Sequence, residues 1–411
     1  MALLCVGFFV ILDSERKTKT VHAKGEFVLK KRHKFYYAIL RPLVIAFLKI
    51  RFGYTYEVAG DLPDNYIVLS NHATDYDMLF VAASFKRQMY FVGSEHIARW
   101  KTLYKLIRYA FDPIMRSKGS LAAGTALDVV RKAKRGGNVC LFAEGVRTWD
   151  GVTCPILPST GKLIKSAGCG LVTYKIVGGY FASPMWGGAG VRRGKVHGAP
   201  VRVFTKEQVG QMSATEIYEV IVADLYEDAY ARQLKEPCRY RGKNLAQRME
   251  NLLFLCPHCR RRDTFCSQGD TVTCQGCGLS FRYDAYGMLR GAPFKTVKEF
   301  SDWQKQEVVA DVRTGAVYTA ADATLSVVQN HREERITNGP ASISPQALTC
   351  GETVFSLTDI SDLAMHGQRA LVFTARGSYY ELIPSQEANA LKFLLYFHAY
   401  KMLSKTEMEV V

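Results

Sequence analysis

The chain has 411 residues, 48% of them hydrophobic and 22% charged, with a formal net charge of +16. This composition excludes a disordered or collagen-like chain and leaves room for two or three domains, each burying its own core. The positive excess suits a partner that bears phosphates: nucleic acid, an anionic membrane face or a phosphorylated substrate.

Residues 1–33 read as a basic N-terminal extension. An apolar run, "ALLCVGFFVIL", lacks the basic flank of a signal peptide and is too short to span a bilayer. Arg16, Lys17, Lys19, Lys24, Lys30, Lys31, Arg32 and Lys34 then crowd together. Next comes "FYYAILRPLVIAFLKIRFGY", interrupted by Arg41, Pro42, Lys49 and Arg51, too often for a membrane span. It suits an interfacial helix, apolar side in lipid and basic side at the headgroups. The competing reading is a first helix packed on a soluble core.

Residues 34–233 alternate strand and helix signals. "YIVLS" (66–70), "NVCLFAEG" (138–145) and "GLVTYKIVGG" (170–179) are predicted strands. "DMLFVAASF" (77–85), "LAAGTALDVVRKAKR" (121–135) and a closing segment at 213–233 are predicted helices. The last opens on a capping-box pattern, Ser213 to Glu216. The alternation indicates an α/β domain with a central, mostly parallel or mixed sheet flanked by helices.

Residues 234–250 form a basic linker, and 251–284 contain Cys256-x2-Cys259 and Cys274-x2-Cys277, with fourteen residues between the pairs. Two paired knuckles supply four thiolates in a tetrahedral set, the signature of a structural Zn²⁺ ribbon with no open coordination position. His258 and Cys266 read as bystanders. Eleven cysteines without a secretory signal point to a reducing compartment. Residues 285–411 offer short alternating segments ("AVYTA", "TLSVV", "TVFSL", "ALVFTA", "YYELI") followed by a helix at 385–403. That is a small β-rich domain whose overall pattern resembles a pleckstrin-homology fold.

Chemistry concentrates in two places. In "VLSNHATDYDMLF", His72 and Asp77 would lie about 140° apart on an ideal helix. They meet only if His72 sits on the turn after the strand and Asp77 in the first turn of the helix. Asp77 would then orient the ring and leave its other nitrogen as a proton acceptor. Asn71, Thr74 and Asp75 could equally serve as helix caps. Strand carboxyl ends line the ligand crevice of a parallel α/β sheet, so "LSNH" and "FAEGVR" are expected to open onto one cleft. There Glu144, Gly145 and Arg147 would join Arg116 and Lys118 from "FDPIMRSKG" in binding a phosphate-bearing substrate.

"NHATDYD" followed later by "FAEGVRT" resembles the glycerolipid acyltransferase family, typified by 1-acylglycerol-3-phosphate acyltransferases, over residues 34–233. Asn71, His72 and Asp77 match its N-H-x4-D block, Arg116 its arginine block and Glu144 to Arg147 its E-G-T-R block. Val146 replaces threonine, Ala143 a preceding proline and Thr173 the proline of the fourth block. The resemblance implies a peripheral or monotopic enzyme at the cytoplasmic face of the cell membrane. It implies His72 as the base that deprotonates a lysophospholipid hydroxyl for attack on acyl-CoA or acyl-carrier protein, with no catalytic metal or redox cofactor. Two other classes fit parts of the sequence. One is a zinc protein binding nucleic acid through Arg260, Arg261 and Arg262, which leaves His72 and Glu144 without a role and makes nucleic acid the poorer partner. The other is an inactive lipid- or phosphate-binding relative.

Overall fold

The computed structural model describes residues 31–94, 101–116, 122–188, 190–329, 332–385 and 388–409. Most of the basic N-terminal extension, residues 1–30, lies outside these. The first helix, α1 (Lys31–Phe52), runs through Pro42 without ending. Its inner face is tied to α2 (Asp77–Ser84). A helix leaves its last carbonyls unpaired; here Ala59 N donates to that of Ser84 at 3.0 Å, and α1 satisfies its neighbours. Tyr37 donates to the carbonyls of Ala82 and Phe85 at 3.0 Å, and Arg41 reaches Ala82 and Ala83. A guanidinium at that C-terminus also complements the helix dipole. The opposite face of α1 carries Phe35, Ile39, Leu43 and Ile50, all exposed at helical spacing. The inner face therefore packs on the core, as one of the two sequence readings expects, and the outer face leaves an apolar row exposed. Among the described residues no helix is long and apolar enough to cross a membrane.

The first sheet comprises β1 (Tyr54–Tyr56), β2 (Tyr66–Ser70), β3 (Met89–Ser94), β4 (Ile114–Arg116), β5 (Asn138–Phe142), β6 (Gly170–Val177) and β7 (Val196–Phe204). Its order is β1-β7-β6-β2-β5-β3-β4. Every pairing is parallel except β6 with β7. The mixed α/β expectation is met. Strand β2 is buried at all five positions, which is why "YIVLS" is nearly continuous in apolar residues. Flanking helices are α3 (Lys101–Phe111), α4 (Ala122–Lys134), α5 (Ser159–Ala167), α6 (Gly179–Ala182), α7 (Lys206–Gln211), α8 (Ala214–Leu225) and α9 (Ala229–Lys235). The Ser213–Glu216 capping box forms as read. The single helix expected over 213–233 is instead two, because Asp228 caps a new start by accepting from Ala231 N at 2.9 Å.

An antiparallel sheet follows: β8 (Phe265–Gln268), β9 (Thr271–Cys274), β10 (Ser280–Tyr283) and β11 (Leu289–Arg290), in reverse order across the sheet. Helix α10 (Val297–Arg313) then stands where the sequence reading anticipated only strands. Its signal was present in Thr296 and Glu299, since Thr296 accepts from Glu299 N at 3.0 Å. The last sheet contains β12 (Tyr318–Gln329), β13 (Arg332–Ile343), β14 (Ala347–Cys350), β15 (Thr353–Ser356), β16 (Ser361–His366), β17 (Ala370–Ala375) and β18 (Ser378–Pro384). Helix α11 (Ala390–Glu409) closes the chain. "AVYTA" and "TLSVV" fuse into the single strand β12, bent by register shifts. Strand β13, "REERITNGPASI", escaped the reading because its first half is mostly exposed and charged.

These C-terminal elements are joined through a polar knot around one buried lysine. Lys392 of α11 is fully buried, lies 3.2 Å over the Tyr318 ring and pairs with Asp263 from the loop before β8. Tyr318 also donates to Asp263, at 3.1 Å. Arg262 and Tyr396 both donate to Asp311 of α10. Burial pushes the Lys392 amine down to about 7 from 10.5, with Asp263 opposing. A depressed lysine contributes stability that is fully present above the unfolded value and is lost as pH falls through the folded one. The unfolding free energy of the wild type minus that of Lys392→Met is therefore expected to rise between pH 7 and 10.5. Urea unfolding across that window checks it, and a flat difference contradicts it.

Candidate active site

The loop after β2 and the loop after β5 meet at the carboxyl end of the sheet because the two strands are hydrogen-bonded neighbours, Ser70 opposite Phe142. Asp77 opens α2 with its side chain wholly buried. Its carboxylate gathers four donors: Ala73 N at 2.6 Å, Thr74 N at 2.9 Å, Thr74 Oγ1 at 2.8 Å and His72 Nδ1 at 2.8 Å. An ionised carboxylate only accepts, so Nδ1 carries the hydrogen and Nε2 is left with its lone pair. The His72 side chain is 22% exposed, enough for a substrate to reach that nitrogen.

The histidine is braced on its other sides. Its ring stacks on Phe142, with centroids 4.3 Å apart. Its backbone N donates to Glu144 Oε1 at 2.6 Å, and its carbonyl accepts from Thr148 N at 3.1 Å. The other oxygen of Glu144 accepts from Cys154 N. Glu144, expected among the substrate contacts, thus has both oxygens engaged by the protein's own backbone. Gly145 turns the chain at φ +68°, a conformation that favours glycine. Arg147 pairs with the exposed Asp75 at 2.9 Å. Arg116 ends β4 at the sheet edge, two strands beyond β5; its side chain lies outside the described residues, as does Lys118 altogether.

Asn71 and Asp75 do not cap α2. Asn71 instead exchanges two 2.8 Å hydrogen bonds with the backbone of Ile176 and so fastens the loop to β6. Thr74 accepts from Tyr76 N at 2.9 Å and holds the turn itself. Sequence reasoning missed Phe142 and the role of Thr74; the T-x-x-D spacing of Thr74 and Asp77 was the available signal for the latter. The two replaced prolines are also used. Ala143 N donates to Ser70 O at 3.4 Å, and proline has no N–H to give. Thr173 donates to Asp224 at 2.7 Å and accepts from Arg202 N at 3.1 Å.

A second constellation is formed by Cys256, Cys259, Cys274 and Cys277, whose sulfurs all lie within 4.8 Å of one another. Cys256–Cys277 and Cys259–Cys274 are each 3.7 Å apart. The edge of a tetrahedron built on Zn–S bonds of about 2.3 Å is about 3.8 Å, so the four thiols fit this ion. His258 and Cys266 are exposed and outside the cluster. Arg260 and Arg262, candidates for nucleic-acid contact, are instead paired with Glu307 and Asp311 of α10.

Residues 55–177 match the family model described as Acyltransferase. That segment, 123 of the 411 residues, is thus similar to the acyltransferase family and carries the block order of the glycerolipid acyltransferases. Among solved structures, the 1-acyl-sn-glycerophosphate (LPA) acyltransferase PlsC from Thermotoga maritima is similar at 18% identity and a TM-score of 0.41, covering 51% of this chain and 86% of that chain. A comparison with curated proteins found no match.

Burial pushes the Glu144 carboxyl up to about 8, although two backbone N–H groups favour its charged form. A carboxyl raised in the fold contributes stability that is fully present below the unfolded value of 4.5 and is lost as pH rises through the folded one. The stability margin of wild type over Glu144→Gln is expected to narrow between those limits. Denaturant titrations of both proteins across the window measure it; a constant margin means that Glu144 stays ionised.

Proposed function

We propose that residues 34–233 transfer an acyl group from acyl-CoA or acyl-carrier protein to the free hydroxyl of a lysophospholipid, 1-acylglycerol-3-phosphate giving phosphatidic acid. The observation that carries this reading is the 2.8 Å contact between His72 Nδ1 and the buried Asp77 carboxylate, inside the acyltransferase match. His72 Nε2 takes the hydroxyl proton as the oxygen attacks the thioester carbonyl. The new C–O bond forms, the C–S bond breaks, and the proton leaves with the thiol. Asp77 holds the tautomer and stabilises the imidazolium. Arg147, Arg116 and Lys118 supply positive charge for the phosphate, while Glu144 and Gly145 shape the loop that presents His72.

The exposed apolar row of α1 supports docking on a lipid surface, its basic neighbours Lys49 and Arg51 facing the headgroups. The thiol-rich composition supports a cytoplasmic location on the membrane. Cys256, Cys259, Cys274 and Cys277 would hold one structural Zn²⁺, and the closed set of four leaves the ion no place for substrate. The seven-stranded sheet with its C-terminal helix supports a pleckstrin-homology-like reading of 285–411.

His72→Ala is expected to lower acyl transfer from acyl-CoA to lysophosphatidic acid by roughly 10²–10⁴-fold, with circular dichroism unchanged and melting lowered by the one donor that Asp77 loses. Retained activity removes His72 as the base. A wild type inactive with every thioester and lyso-acceptor removes the enzyme reading itself. For the cysteines, elemental analysis of the purified chain should find one zinc per molecule, and Cys274→Ser should lose the metal and melt at lower temperature. Metal-free protein with unchanged melting would contradict the zinc assignment.

A further inference from the structure

The strongest unexplained feature lies outside the acyltransferase match, where the end of α1 meets the basic linker. A cleft of about 580 Å³ is lined there by Ile50, Arg51, Arg193, Arg241, Lys243 and Arg248, among others, and among the described residues no carboxylate lines it. That volume is within the range of small-ligand sites. Among the described residues, Arg51, Arg193, Arg241 and Lys243 pair with no acidic side chain.

The backbone places this charge deliberately. Arg193 and Arg241 are directly opposite each other, each N donating to the other's carbonyl at 2.8 Å. Residues paired in this way put their side chains on the same side, and like charges there repel. Phe52 O accepts from Gly194 N at 3.2 Å and brings Arg51 to the same place. That approach needs Gly53, whose added Cβ would sit 2.3 Å from Gly194 O. Arg192 forms the floor. It is buried, its guanidinium donates to the carbonyls of Phe181 and Leu245, it rests 5.2 Å from the Trp186 and Tyr283 rings, and among the described residues it pairs with no carboxylate. A buried cation without a carboxylate and two arginines held opposite each other are costs that a bound anion would offset.

We infer that this cleft binds a phosphate-bearing group, separately from the His72 site. Ile50 belongs both to the cleft wall and to the exposed apolar row of α1, so a helix lying on a membrane brings the cleft to headgroup level. The favoured source is therefore the phosphate of an anionic lipid, and this choice of source rests on the docking role proposed for α1. A soluble phosphomonoester has the same chemistry.

The full, zinc-loaded chain would be sedimented with phosphatidylcholine vesicles, alone and with one-fifth phosphatidic acid. Arg193→Gln/Arg241→Gln and Arg51→Gln/Lys243→Gln would be compared with a surface control that removes equal charge, Lys86→Gln/Lys235→Gln. Binding to neutral vesicles reads the apolar row; the increment from phosphatidic acid reads the cleft. Both cleft variants should reduce that increment by roughly tenfold or more, the control by less than twofold. Melting of Arg193→Gln/Arg241→Gln should be unchanged or raised, since repulsion is relieved. Competition by glycerol 3-phosphate or CoA assigns the cleft to a soluble phosphate; no competition assigns it to the lipid headgroup. Equal losses in cleft and control variants, or none, overturn the inference. So does a short DNA duplex that binds more tightly than the phosphatidic acid vesicles and loses its affinity in the cleft variants.

Discussion

A carboxylate removed from water must find donors, and Asp77 is the point from which the candidate site is built. Its four donors come from a stretch of six residues, His72 to Asp77, so satisfying one buried charge fixes the turn, the first turn of α2 and the imidazole tautomer together. The remaining contacts are arranged around that centre. Asn71 anchors the turn to β6, Phe142 covers the ring, and Glu144 ties the turn to the loop after β5. A ring held from this many directions needs little reorganisation when a proton arrives, which is the condition for general base chemistry.

The C-terminal half shows the same economy at a larger scale. Asp263 and Asp311 are both approached from α11, by Lys392 and Tyr396 respectively, while Arg262 joins the cysteine-bearing loop to α10. The ribbon is thereby welded to helices before and after the last sheet. This also explains why a run of three arginines beside the knuckles is a poor guide to nucleic acid here: two of them are committed to carboxylates of α10. Their charge is spent on internal attachment.

Charge elsewhere is less evenly neutralised. Arg41 is absorbed by the end of α2, whereas Arg51, Arg193, Arg241 and Lys243 converge without acidic partners among the described residues. The difference lies in backbone geometry. Gly53 and Gly194 allow α1 to approach the segment before β7 closely enough to gather cations from three distant parts of the chain. Tyr240 in the same linker reaches Lys195 O at 3.0 Å and packs over Gly178, near the loop that carries His72. Tyr240 therefore ties the linker that borders the cationic cleft to the end of β6 beside the candidate active site.

Sequence alone determined what depends on local spacing. The buried strand β2, the Ser213–Glu216 cap, the cysteine knuckles and the H-x4-D pair are all short-range patterns whose physical meaning survives without a fold. Helix α10 and strand β13 were less legible, because charged, half-exposed elements carry weak periodicity and are stabilised by their neighbours. Tertiary structure decided the partners. It assigned Glu144 to the backbone of His72, Asn71 to β6, Thr173 to Asp224, and Arg260 and Arg262 to α10. It also opposed Arg193 and Arg241 across a bridge. Each of these pairs joins different segments of the chain, and only the packing of a sheet or the approach of a helix brings such donors and acceptors within 3 Å or so of each other.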